Sequence, residues 1–487
     1  MASTATLPTI PLEHTLRDAV PELVIDWNGA DVPDPRLVIV NDDLASELGI
    51  GELADPAAAP VLAGAVAPAG VQPVAMVYAG HQFGTYNPRL GDGRALLLGE
   101  ITTPDGSRVD LHLKGSGRTP FARGGDGKAT LGPMLREFLV AEAMHALGVP
   151  TTRSLAVITT GERIHRAGDT TGAVLARVAA SHMRVGTFEY AARLDDRDVL
   201  RRLADYAIAR HAPHVADDDR PYLALLDTVA DAQAALVSKW MTVGFIHGVM
   251  NTDNMAISGE TIDYGPCAFM DVFDPDTVFS SIDHGGRYRY RHQPVIAQWN
   301  LARLAESLLP LMEDHLDASL GRARDIVEAF PERWRAHWLT GMASKLGLAE
   351  VRDGDAELFD GLLETMQRGR LDHTNTFRRL AASLRDEHVV VDASLAEWMP
   401  KWRARLDDEH IAPAAAADVM DAINPVYVPR NHLVEEALDA AAKGDLAPFR
   451  SLLAVVTHPF DERDGLERYA EPAPNEFTAS YQTFCGT

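Results

Sequence analysis

Nineteen residues, His247 to Gly265, read HGVMNTDNMAISGETIDYG, and they constrain the fold more than any other stretch of this chain. They place Asn254 seven residues after His247 and Asp263 nine after Asn254, with Asp253 between. An amide and a carboxylate so spaced suit two turns that bring both side chains over one divalent cation, a common way of neutralising triphosphate charge. Asn, Asp and Gly also gather in turns for purely local reasons. An Asn-Thr-Asp-Asn turn followed by a Tyr-Gly turn between two strands is therefore the competing reading, and the upstream sequence has to decide.

The chain has 487 residues, 46% hydrophobic and 24% charged, ample for more than one lobe around a core. Its 45 basic and 70 acidic side chains give −25, which repels polyanions, so neither nucleic acid nor an anionic membrane is an expected partner. Any phosphate site must be local. Basic charge is concentrated between Arg89 and Arg136, where eight Lys or Arg face five acids. The opening residues, MASTATLPTIPLEH, show no signal or transit pattern and no apolar run of about 18 residues occurs, so a cytoplasmic protein is expected. Two cysteines, Cys267 and Cys485, exclude a disulfide scaffold and a cysteine-based zinc site.

Residues 1–73 read as an N-terminal extension, with PAAAPVLAGAVAPAGVQP (56–73) as a low-complexity connection. From 74 to 180, apolar runs punctuated by glycine predict a small sheet. Gly91-Asp92-Gly93-Arg94 directly precedes the strand ALLLGE. Bare glycines there let backbone N–H groups approach a phosphate and Arg94 adds a charge-assisted bond, although Gly-Asp-Gly is often only a hairpin turn. Lys114 ends the alternating run VDLHLK, and Glu137 follows on a helix predicted to start at Pro133. On the helical wheel Glu137 falls among Met134, Ala141 and Met144, an apolar neighbourhood in which a carboxylate needs a cation. A glycine-rich loop between the two carries Arg118, Arg123, Asp126, Gly127 and Lys128. Arg177 and Arg184 lead into residues 181–463, read as mainly helical, and the tail from Asp464 to Thr487 shows no obvious helix.

A strand lysine, a helix glutamate, then Asn and Asp ahead of a glycine turn is the order found in protein kinases. The expected fold is α+β and kinase-like bilobal. It has a small β-rich N-lobe (74–180) with one key helix, a large mainly α-helical C-lobe (181–463) holding the 247–265 loop, and the tail 464–487. The kinase base is missing, since Val249 stands two residues after His247 where an Asp belongs.

Five stretches carry a family resemblance: YAGHQFG (78–84), LGDGRALLLGE (90–100), DLHLKGSGRTPFARGGDGKATLGPMLRE (110–137), GVMNTDNMAISGETIDYGPCAFMDVFDP (248–275) and the tail with Cys485. They closely resemble the selenoprotein O family, known from bacteria as the YdiU family, and the resemblance covers nearly the whole chain. It implies a pseudokinase that binds ATP in a flipped orientation and, with Mg²⁺ or alternatively Mn²⁺, transfers AMP to Ser, Thr or Tyr hydroxyls of proteins. It implies nucleotide contacts from Gly91, Gly93, Arg94, Lys114, Asp126, Gly127, Arg177, Arg184 and Asp263. It further implies metal ligation by Asn254 and Asp263, Asp253 as proton acceptor, and Glu137 paired with Lys114. Cys485 stands where some members have selenocysteine. A bond between Cys267 and Cys485 would fasten the tail beside the site, and a buried Cys267 with an idle Cys485 is the alternative. Two rival functions stay open, a γ-phosphotransferase and a nucleotide-binding scaffold without turnover. A monomer is expected.

Overall fold

The computed structural model describes residues 10–166, 168–312 and 316–484. Short elements come first: α1 (Thr15–Ala19), β1 (Val24–Asp26), β2 (Arg36–Val40), α2 (Asp42–Glu47) and α3 (Ala59–Leu62). Strands β3 (Val74–Met76), β4 (Gly80–Gln82), β5 (Thr85–Asn87), β6 (Ala95–Thr102), β7 (Arg108–Lys114) and β8 (Ala129–Thr130) follow. Helix α4 (Leu131–Ala146) then precedes β9 (Arg153–His165) and β10 (Asp169–Ala179). The main sheet runs β1-β3-β6-β7-β10-β9-β2, with β8 pairing β10, and β4 and β5 form a separate hairpin. Its pairings are antiparallel, as short strands joined by tight glycine turns require.

The sheet does not begin at Val74. Residues of the expected N-terminal extension supply both outer strands, β1 against β3 and β2 against β9. The low-complexity reading of 56–73 is also corrected. Within it α3 forms a single helical turn, and Ala59, Val61 and Leu62 are buried with Leu98, Leu111, Leu113 and Leu155 from one face of the sheet. Four residues are too few to display helical periodicity, so the pattern was silent about a segment that packing fixes. Glu100 anchors α1, accepting the N–H groups of Thr15 at 2.8 Å and Leu16 at 3.0 Å, where a carboxylate also complements the helix dipole.

Helix α4 covers the opposite face, with Leu135, Phe138 and Leu139 against Val157, Ala173 and Leu175. It starts two residues before the predicted Pro133. Helices Asn431–Ala442 and Ala447–Val456 close over it through Leu433, Val434, Phe449 and Leu452.

Beyond residue 184 the chain is mainly helical, as expected: α5 (Val185–Ala191), α6 (Arg197–His211), α7 (Pro221–Val243), α8 (Gln293–Leu308) and later helices share one large core. Two short strands interrupt this part. β11 (Phe245–Ile246) and β12 (Ala268–Phe269) pair antiparallel and pinch the base of the loop 247–267. The tail has more structure than its sequence signalled, with helices Glu467–Ala470 and Asn475–Ser480. Thr483 seats it by donating from its N–H to Phe279 O at 2.8 Å and from Oγ1 to Pro266 O at 2.6 Å. Among the described residues no helix is long and apolar enough to cross a membrane.

The α3 packing yields a stability test. Leu62→Ala removes a fully buried side chain and should cost about 2–5 kcal/mol, read from urea unfolding midpoints. A loss below about 0.5 kcal/mol, typical of surface positions, would return this segment to a connector.

Candidate functional site

Alternation along β7 turns Asp110, His112 and Lys114 to one face while Leu111 and Leu113 enter the core on the other. Lys114 Nζ donates to Glu137 Oε2 at 2.5 Å and to Asp263 Oδ1 at 2.7 Å. Arg177 Nη1 donates to Glu137 Oε1 at 3.1 Å. The glutamate on α4 thus holds two cations, which meets the requirement set by its burial. Arg177 lies across from His112 in the β7–β10 register, and its Nε meets His112 Nδ1 at 3.2 Å. A guanidinium only donates, so His112 is the neutral tautomer with its proton on Nε2, given to Asp92 Oδ2 at 3.1 Å. Burial, then the charge of Arg177, pushes His112 well below its ordinary value, in keeping with that tautomer. A buried hydrogen-bonded chain therefore runs from the glycine turn at Asp92 through His112, Arg177, Glu137 and Lys114 to Asp263. Asp92 and His112 were not singled out from sequence, yet the alternation in VDLHLK already put His112 on the face of Lys114.

The glycines of the 91–94 turn have a packing reason besides ligand approach. Gly91 has φ +79°, and a Cβ there would lie 2.4 Å from the Phe121 ring. Gly127, with φ +70°, lets the loop double back, since a Cβ would sit 2.3 Å from the Gly117 carbonyl. The 115–128 loop thus folds down on the glycine turn. Asp126 is held at its rim by Arg166, whose Nη1 and Nη2 donate at 3.0 and 2.9 Å. Arg166 carried no sequence signal.

Buried His247 staples the two ends of the catalytic-type loop. Val249 N–H donates to its Nδ1 at 3.4 Å, and its Nε2 donates to Ile262 O at 2.9 Å. Asn254 Nδ2 donates to Val249 O at 3.1 Å, which leaves the amide oxygen available. Asp263 has φ +69°, a left-handed backbone costing a non-glycine residue about 1–2 kcal/mol. Burial would raise its carboxyl, but Lys114, then Arg94 and Arg177, hold it well below the usual carboxylate range. Asp253 shows the reverse: burial outweighs Arg184 and pushes it up to about 6. Its Oδ2 accepts from Gln82 Nε2 at 3.4 Å, and its Oδ1 is buried without a partner.

These pieces line one cleft of about 480 Å³, a size suited to a nucleotide. Gly91, Gly93, Arg94, Lys114, Asp126, Gly127, Arg177, Arg184, Asp253, Asn254 and Asp263 all line it, and Glu137 supports Lys114 from behind. Arg184 lies over the Tyr78 ring at 4.3 Å and donates from Nη1 to Asp253 O at 3.0 Å. Its Nη2, like Arg94 Nη1, is buried without a partner, so two guanidinium N–H groups await an acceptor. Among the described residues no three His, Cys, Asp or Glu side chains converge as a self-sufficient metal site. Asn254 and Asp263 nonetheless offer hard oxygen donors, which fits a divalent cation that takes its remaining ligands from phosphates and water.

Cys267 is buried beside the cleft. Its Sγ–H donates to Tyr264 O at 3.4 Å, and burial pushes the thiol up to about 12. Cys485 lies outside the described residues.

The chain is similar along nearly its whole length to several named proteins. A Rhodococcus jostii protein named protein nucleotidyltransferase YdiU is 55% identical over 488 residues, spanning 98% of this chain and 94% of its own. Proteins of the same name from Cereibacter sphaeroides (strain KD131) and Mycolicibacterium smegmatis are 56% and 55% identical, over 95% and 98% of this chain and 96% and 98% of theirs. The class is that of nucleotidyltransferase enzymes, which take a nucleotide substrate and typically a divalent metal. The family model described as protein adenylyltransferase SelO matches residues 9–457, and the chain belongs to that family.

Because Glu137 answers two cations and Lys114 two carboxylates, Lys114→Ala and Glu137→Ala should be strongly non-additive. Each single change leaves the surviving charge one partner, Arg177 for Glu137 and Asp263 for Lys114, and is expected to cost about 1–3 kcal/mol. The double variant should fall short of the sum by about 1–3 kcal/mol in a denaturation cycle. Additive losses would show that the two side chains act separately.

Proposed function

We propose that this chain transfers AMP from ATP to Ser, Thr or Tyr hydroxyls of proteins, on a kinase-like bilobal arrangement in which the β sheet and the helical region face one another across the cleft. The carrying observation is Asp253. It is a buried carboxylate with an unpartnered oxygen, beside two guanidinium groups with unpartnered N–H bonds. The apolar Val249 lines the same cleft at the position a kinase reserves for its base, which supports a proton acceptor elsewhere.

In this reading an acceptor hydroxyl attacks the α-phosphorus while its proton passes to Asp253 Oδ1. The bond to the bridging oxygen breaks, and pyrophosphate leaves with the electron pair. Lys114, Arg94 and Arg184 stabilise the charge that grows on the phosphate oxygens, and the buried chain ending at Lys114 keeps that ammonium oriented without reorganisation. Asn254 and Asp263 would hold Mg²⁺, which when bound supplies charge neutralisation on the phosphates. Gln82 Nε2 donates to Asp253 Oδ2 at 3.4 Å and leaves the second oxygen without a partner.

Incubation with ATP labelled separately at the α and γ positions tests the reading. Label from the α position should enter protein and label from the γ position should not; the opposite result would assign γ-phosphoryl transfer. Asp253→Asn should lower kcat by about 10²–10⁴ while leaving ATP affinity within a few-fold, the signature of a lost base. Asp263→Ala should abolish transfer in the presence of Mg²⁺. Turnover unchanged in both variants would overturn the assignment.

A further inference from the structure

The β4–β5 hairpin is a short element with an unusual tip. His81 pairs with Tyr86 and Gln82 with Thr85, which leaves Phe83 and Gly84 as a two-residue turn with φ +51° and +82°. Positive φ at both positions is the hairpin geometry that glycine and asparagine favour, so phenylalanine there is strained. Contacts to the loop beside Asp253 hold it. Phe83 N–H donates to Asn251 Oδ1 at 3.0 Å, His81 N–H to Thr252 Oγ1 at 2.7 Å, and Gln82 reaches Asp253 itself. The hairpin is thereby bonded to residues 251, 252 and 253 in succession.

His81 is flanked on the hairpin's other side by aromatic rings, Tyr86 at 5.0 Å and Trp299 at 5.1 Å. Arginines extend the stack. Arg193 lies over Tyr86 at 4.9 Å, and Arg287 lies over Trp299 at 5.0 Å beside the Gly84 tip. Arg303 also covers Trp299, but Glu306 at 2.8 Å neutralises it, and Glu189 is hydrogen-bonded to His81. The guanidinium groups of Arg193 and Arg287 make no ion pair within 4 Å among the described residues, although acids outnumber bases 70 to 45 in the chain and Asp283 accepts the Arg287 backbone N–H at 2.8 Å. Buried Arg287 Nε and Tyr86 Oη also have no hydrogen-bond partner. An arginine stacked on a ring keeps its edge N–H groups free, in a fork that matches a carboxylate. Arg193 is exposed with its edge free, and Arg287, whose side chain also bonds Tyr288, adds a second cation on the hairpin whose Gln82 reaches Asp253.

We propose that this hairpin face is the docking surface for the protein substrate, and that it selects segments carrying Asp or Glu close to the acceptor hydroxyl. The inference rests on the protein-adenylylation reading and names its substrate class. A polynucleotide would meet the same arginines, but the net charge of −25 opposes a long polyanion while leaving a short acidic segment free to use two local cations.

The test uses the full-length protein and three synthetic fluorescent peptides, each with one threonine flanked by glutamates, alanines or lysines. Anisotropy without nucleotide should show the glutamate peptide binding at least about tenfold tighter than the alanine peptide, and the lysine peptide weakest. The R193E/R287E double variant should lose that preference while retaining wild-type ATP affinity. The exposed single change R193A should weaken the glutamate peptide several-fold and provides the result should the double variant misfold. Equal binding of glutamate and alanine peptides, or an undiminished preference in R193A, overturns the docking surface. So does a thymidine oligonucleotide that competes as well as the glutamate peptide. Transfer is scored separately with α-labelled ATP. Absence of label from every peptide and from general protein acceptors defeats the adenylylation reading, whereas label without preference for the glutamate peptide defeats only the docking inference.

Discussion

Withdrawing the Lys114 ammonium from water is costly by several kcal/mol, and the arrangement around the cleft follows from how that cost is met. Two carboxylates from opposite parts of the chain converge on it, Glu137 from α4 and Asp263 from the far end of the 247–265 loop. The pairing can form only if α4 lies on the sheet in one register and the loop approaches from the helical region. A single buried charge therefore specifies the relative placement of three elements that share little sequence proximity. Arg177 adds a second cation to Glu137, so two cations and two carboxylates balance one another behind the cleft.

Period-two alternation is what makes this possible. A strand that buries Leu111 and Leu113 on one face is free to place Asp110, His112 and Lys114 on the other. Each of the three finds a partner from a different element: Arg210 for Asp110, Asp92 for His112, and Glu137 for Lys114. A buried row of polar groups is tolerable only when nearly every member is satisfied, and here the row doubles as the link between the glycine turn and the loop that bears Asp263.

Much of the site was legible because it depends on residue types at long separations. A lysine ending a strand and a glutamate on an apolar helix face need each other, and no local rule supplies that need. The two outer strands were not legible, because β1 has three residues and β2 five, too few for alternation to stand out from a Pro- and Ala-rich background. The helical turn at Ala59–Leu62 and the helices of the tail failed for the same reason: tertiary contacts and not periodicity stabilise them. YAGHQFG was visible as a motif, but nothing in its composition said that it forms a hairpin bonded to Asn251, Thr252 and Asp253. Such contacts are written in three dimensions only.

Unsatisfied atoms in the cleft complete the physical picture. Buried polar groups without partners cost about 1–3 kcal/mol each, and folded proteins keep few of them. Arg94 Nη1, Arg184 Nη2 and Asp253 Oδ1 are three such atoms on residues that line one cleft, two of them donors and one an acceptor. An anion with several oxygens would satisfy the donors, and a hydroxyl would satisfy the carboxylate. Such a set of donors and acceptor accords with the nucleotide substrate of a nucleotidyltransferase. The folded chain therefore holds donors and an acceptor in place ahead of any ligand, so that a bound anion would complete hydrogen bonds that the protein itself leaves open.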